Sequence, residues 1–178
     1  MKNRITRLLS LLMSALVLLS LLSPVAGAAQ APEVQAGAAL LMDAVNDELL
    51  YEKNARQKMY PASLTKVMTA LLVLEAVEAG QLKLDQVVTA SSTFSKGLSI
   101  YGSTQNIKAG EQMTLLDLLY CLLVASANES ANILAETVCG DVDTFVARMN
   151  VRAAQLGCED THFANPHGLH DDDHYTTA

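Results

Sequence analysis

Strand and helix signals alternate along this chain, and together they predict a mixed α/β domain. The turn-forming pair Asn46-Asp47 joins two strand-like runs. Pro61 and Gly80 bracket a run of helix formers, and a capping-box pattern at Thr114 opens a second apolar run. With 178 residues the chain has room for one ordinary domain, and a 51% hydrophobic content is globular in character.

Residues 1–28 stand apart from that domain. Lys2, Arg4 and Arg7 form a basic start, residues 8–22 are apolar, and Ala26-Gly27-Ala28 offers small residues for cleavage. A second cut after Ala29-Gln30-Ala31 is disfavoured by Pro32. The alternative is an uncleaved anchor, but the run is shorter than the roughly 20 apolar residues that span a bilayer, so a cleaved export signal is expected. Its loss leaves nine basic residues against 19 acidic ones, a net charge of −10. Such a surface has no basic stripe for phosphates, and nucleic acid is excluded as a partner. With no other long apolar run, the mature chain is expected outside the cytoplasmic membrane.

In order along the mature chain, residues 38–43 and 48–52 flank Asn46-Asp47 and predict a β-hairpin. A long, largely buried helix is expected to begin close to Ser63 and to end at Gly80. Residues 81–110 read as a connecting region with a strand-like stretch at 86–89. Thr114-Leu115-Leu116-Asp117 opens a second helix that should end near Ala125, and residues 129–138 and 142–156 read as two more. From Gly157 onward the chain is loop-like. Cys121 is expected to be a buried inert thiol. A Cys139–Cys158 disulfide is compatible with export but does not follow from the sequence.

Ser63-Leu64-Thr65-Lys66 carries the chemistry. A serine and a lysine three residues apart near a helix N-terminus share one face, so hydroxyl and amine can meet. Serine needs a base to become nucleophilic, and lysine serves as one only where burial and positive surroundings keep it neutral. The helix N-terminus disfavours the ammonium, and its free N–H groups can stabilise an oxyanion. Alone, the pattern arises often by chance on exposed helices. Here the apolar flanks Tyr60-Pro61-Ala62 and Val67-Met68 can bury the amine. Ser126-Ala127-Asn128, taken by itself, is a cap or turn. Beside a Ser/Lys pair its hydroxyl can relay a proton to a leaving amine, and its amide can hold a substrate carbonyl. His162, His167, His170 and His174 with Asp171-Asp172-Asp173 match no recognised zinc spacing and are read as a polar surface loop.

Three stretches resemble the penicillin-binding-protein and serine β-lactamase superfamily, and most of all its low-molecular-mass D-alanyl-D-alanine carboxypeptidases. They are Tyr60-Pro61-Ala62-Ser63-Leu64-Thr65-Lys66, the run from Gly110-Glu111-Gln112 through Ser126-Ala127-Asn128-Glu129, and Phe163-Ala164-Asn165-Pro166-His167-Gly168-Leu169 with His174-Tyr175-Thr176-Thr177-Ala178. The resemblance implies a β-lactamase/transpeptidase-like mixed α/β fold, an antiparallel sheet flanked by helices. It implies Ser63 as acylated nucleophile, Lys66 as base, Ser126 as proton relay and Asn128 as substrate-binding group, with no cofactor and no metal. The implied substrate is a peptidoglycan stem peptide ending in D-Ala-D-Ala, and β-lactams would acylate the same serine.

Glu129 stands where the family usually has Asp. The family's Lys-Thr-Gly or Lys-Ser-Gly motif has no counterpart, since Lys108-Ala109-Gly110 precedes Ser126 and lacks the hydroxyl. The expectation is therefore an incomplete catalytic domain over 29–178, lacking the C-terminal sheet strands and any C-terminal membrane-attachment segment. A D,D-endopeptidase would share every motif, and a non-catalytic product is the reading of another class. A β-lactamase is disfavoured, because no Glu-x-x-Leu-Asn-like segment follows Ser126.

Overall fold

The computed structural model describes Met13 and residues 31–178; apart from Met13, the expected export signal over 1–28 lies outside the described residues. The chain divides into two compact units, Met1–Gln35 and Ala36–Ala178, and all the elements named here belong to the second.

The expected hairpin is present. Ala39–Asp43 (β1) and Glu48–Lys53 (β2) pair antiparallel, from Ala39 opposite Lys53 to Asp43 opposite Glu48, with a register shift between Leu41 and Met42. The turn is built as its residues dictate: Asp47 adopts φ 53°, and the Asp43 carboxylate accepts from Val45 N–H and the Asn46 amide.

Pro61 leads into a 3-10 turn, Ala62–Leu64, which continues as helix α1, Thr65–Glu78; Gly80 follows it at φ 71°. Ser63 thus stands on the tight turn that precedes α1. Val87–Thr89 (β3) forms where a strand was expected, and its antiparallel partner Gln112–Thr114 (β4) was not anticipated. Three residues are too few for alternation to register, and the pairing comes from more than 20 residues away. β4 delivers Thr114 to the start of helix α2, Leu115–Leu123, with both bonds of the capping box formed between Thr114 and Asp117. Helix α3, Asn128–Cys139, follows and ends on Gly140 at φ 87°, where glycine has no Cβ to strain. Helix α4, Val142–Gln155, is capped by the Asp141 carboxylate, which accepts from Thr144 N–H.

Helix α3 is the centre of the helical layer and packs against α1, α2 and α4. On one side Val73, Leu115, Leu118, Leu122 and Leu134 form a core with Phe94 and Ile107; on the other Leu72, Ala135, Phe145 and Met149 meet Phe163. Cys121, Cys139 and Cys158 are all free, so the 139–158 disulfide does not form; burial pushes the Cys121 thiol up, with Glu129 and other acids adding to it. Among the described residues no helix is long and apolar enough to cross a membrane.

Candidate active site

The turn before α1, the start of α3 and the loop 163–169 converge on Lys66. This side chain is 2% exposed, and its Nζ donates to Asn128 Oδ1 at 2.8 Å and to the His167 carbonyl at 2.7 Å. Ser63 Oγ lies 3.3 Å from the same nitrogen. Burial lowers the Lys66 pKa from 10.5 to about 8, and the negative charge of Glu129 works against that shift. A buried amine with a weakened hold on its proton, aimed at a serine hydroxyl, can deprotonate that hydroxyl.

Each partner is brought in by a local feature. Ala62, just before Ser63, has φ 48°, a left-handed conformation that a non-glycine residue adopts only where its surroundings hold it. Ser126 has φ 58° between α2 and α3, and that bend lets Ala127 end one segment and Asn128 begin the next helix. Asn128 N–H donates to the Ser103 carbonyl, and a Cβ at Gly102 would lie 2.5 Å from the Asn128 amide nitrogen, so the loop 99–103 lies directly on Asn128. Glu129 is buried too, and its carboxylate accepts from the Thr104 hydroxyl and Gln105 N–H. The longer acid in place of the family's Asp therefore has a satisfied structural position.

The structure joins three of the four sequence-predicted residues, Ser63, Lys66 and Asn128, by hydrogen bonds. Ser126 lies with Ser63 and Lys66 on the wall of a cavity of about 400 Å³, and no hydrogen bond joins it to either. A neighbouring cavity of about 350 Å³ is lined by Ser63, Asn128, Tyr60, Tyr101 and His170. Ser63 thus lines both cavities.

The histidine segment corrects the sequence reading. It is no surface loop throughout: His167 and His174 are 5% and 2% exposed. Burial lowers the His167 pKa to about 4, with Lys66 and His174 adding to the effect; burial also lowers that of His174. The loop's carbonyls clamp α1, His167 O on Lys66 and Pro166 O on the Thr69 hydroxyl at 2.6 Å. Gly168 at φ 86° lets the loop approach so closely that a Cβ there would run into the Ala62 carbonyl. Sequence reasoning missed these contacts because they use backbone carbonyls, which no residue type announces; the Asn-Pro-His-Gly turn was the one available signal. Among the described residues no cluster of His, Cys, Asp or Glu is arranged to hold a metal ion.

A profile of the D-alanyl-D-alanine carboxypeptidase family matches residues 25–178. The chain is 37% identical over 145 residues to D-alanyl-D-alanine carboxypeptidase DacF of Bacillus subtilis, an alignment covering 81% of this chain and 36% of that protein. It is 32% identical over 172 residues to a D-alanyl-D-alanine endopeptidase of Pseudomonas aeruginosa, covering 95% of this chain and 54% of the relative. Among solved structures, penicillin binding protein 5 from Haemophilus influenzae superposes with a TM-score of 0.79 at 33% identity, over 83% of this chain and 43% of that one. The chain thus spans roughly a third to a half of the length of these relatives. With the profile covering residues 25–178, the helical layer in the penicillin-binding-protein fold and a serine beside a buried lysine, the chain belongs to the D-alanyl-D-alanine carboxypeptidase family.

Proposed function

We propose that this protein is a serine D-alanyl-D-alanine carboxypeptidase, exported by residues 1–28 to the cell envelope, where it removes the terminal D-alanine of peptidoglycan stem peptides. The observation that carries the reading is the hydrogen-bond geometry of Lys66. An ammonium has three hydrogens and a neutral amine two. Asn128 Oδ1 and His167 O take two at 2.8 and 2.7 Å, and the longer 3.3 Å contact faces Ser63 Oγ. In the neutral amine that third direction holds the lone pair, so it can accept the serine proton.

In this reading Ser63 Oγ attacks the carbonyl between the two D-alanines while Lys66 takes its proton. The oxyanion forms at the positive end of α1, where N–H groups point outward. The proton passes by way of the Ser126 hydroxyl to the leaving amine, D-alanine departs, and water hydrolyses the acyl-enzyme. The Asn128 amide, which already holds Lys66, orients the substrate. No step calls for a cofactor. A β-lactam would follow the same first step and stop at the acyl-enzyme.

A labelled penicillin is expected to mark the Ser63 peptide of the full-length protein, and Ser63→Ala is expected to abolish the label. Label that survives the substitution would sink the assignment. Release of D-alanine from a pentapeptide supports carboxypeptidase action, whereas cutting of cross-linked dimers alone would favour the endopeptidase reading.

A further inference from the structure

We infer that His174 is a positioning residue for acylation, acting through Thr65 on the turn that carries Ser63; this rests on the roles proposed for Ser63 and Lys66. His174 Nδ1 lies 3.0 Å from Ala164 N–H. A backbone N–H can only donate, so Nδ1 is an acceptor and the imidazole proton sits on Nε2. That proton is directed at Thr65 Oγ1, 2.6 Å away. Thr65 and His174 are 1% and 2% exposed, so the bond between them is buried. Both ring nitrogens are thereby engaged, Nε2 by Thr65 and Nδ1 by Ala164.

Thr65 stands between the two residues that must meet, two positions after Ser63 and one before Lys66. The backbone there is not at rest, because Ala62 is held at φ 48°. Two contacts hold it. Gly168 packs on the Ala62 carbonyl, and His174 holds the Thr65 hydroxyl. His174 is itself anchored: its N–H donates to the Asp171 carbonyl, and its neighbours Tyr175 and Thr176 bridge to His162 and Met59. The ring also packs edge-on against Phe163 and lines the cavity that holds Ser63. An apolar side chain would fill the space beside Phe163 equally well. What it could not do is connect the 163–168 loop, whose carbonyl holds Lys66, to the helix turn that bears Ser63.

The test compares the full-length protein with its Thr65→Val, Thr65→Ser, His174→Ala and Thr65→Val/His174→Ala variants. Measured are the rate constant of acylation by a fluorescent penicillin, the constant for its non-covalent binding, and the melting temperature. Displacing the serine turn is expected to slow acylation by about 10- to 100-fold in Thr65→Val and in His174→Ala with non-covalent binding unchanged. Thr65→Ser keeps the hydroxyl and is expected to keep the rate. The double variant should be no slower than the slower single one, because both changes remove one bond. A lower melting temperature with an unaltered acylation rate in the folded Thr65→Val protein would overturn the inference, as would losses that multiply in the double variant. If the unsubstituted protein is not acylated, the proposed function falls along with this inference; if it is acylated and Thr65→Val matches its rate, this inference alone falls.

Discussion

The β1–β2 hairpin and helix α3 are of nearly equal length, eleven strand residues against twelve helical ones, and they are held together in opposite ways. No residue of the hairpin strands is buried, and Leu40, Leu41, Met42, Leu49 and Leu50 are all exposed. Its geometry comes from local turn chemistry and ladder bonds. Helix α3 buries eight residues, and four of them, Asn128, Glu129, Ser130 and Asn132, are polar. A buried polar group is tolerable only when its partners are in place. Asn128 has Lys66, Glu129 has Thr104 and Gln105, and Ser130 donates to the Leu118 carbonyl. Asn132 donates to the Phe94 carbonyl, while its Oδ1 is without a partner. An element shaped by local chemistry can lose a side chain at little consequence, whereas one that organises buried polar groups is sensitive at every contact.

The largest effect separating the two regions is expected at Lys66. Lys66→Arg keeps a cation but cannot give up a proton, so acylation should fall on the order of 10³-fold. In the unsubstituted protein acylation is expected to rise with pH through about 8, because the amine becomes a base only as its ammonium deprotonates. A pH–rate profile of penicillin acylation checks both, and a near-normal rate in the arginine variant would mean that another group takes the serine proton.

An intermediate effect is expected at Gly168. A methyl group there meets the Ala62 carbonyl, and the φ of 86° is strained for any side chain. Gly168→Ala should therefore lose about 3 kcal/mol of stability, from overpacking together with the left-handed backbone. Urea unfolding of the full-length protein measures it, and a loss below about 1 kcal/mol would show that the loop can back away from the serine turn.

The smallest effect belongs to the hairpin. Leu41→Ser, at a site 54% exposed, should change stability by less than about 0.5 kcal/mol. Leu134→Ala in α3, at 0% exposure, should lose about 2–5 kcal/mol. Equal losses at the two positions, read by the same unfolding curves, would erase the contrast between the regions and place the Leu41 side chain in a packed interface of the full-length protein.

Much of this molecule was legible in its residues because the relevant physics is local. Asn46-Asp47 makes a turn, Thr114 and Asp117 cap a helix, Gly80 ends one, and Ser63 with Lys66 share one face whatever else the chain does. The same locality exposed Ser126 and Asn128 as a pair, once the Ser/Lys pair gave them a context. Tertiary structure decided what depends on partners distant in sequence. It paired β4 with β3, left the cysteines free, and buried His167 and His174 in a segment that composition alone marks as surface. It also chose which groups hold Lys66: an amide 62 residues away and a backbone carbonyl 101 residues away. The reason is that burial and hydrogen-bond pairing are properties of the packed chain. A carbonyl is common to every residue, so only the fold determines which one lies within 2.7 Å of the lysine.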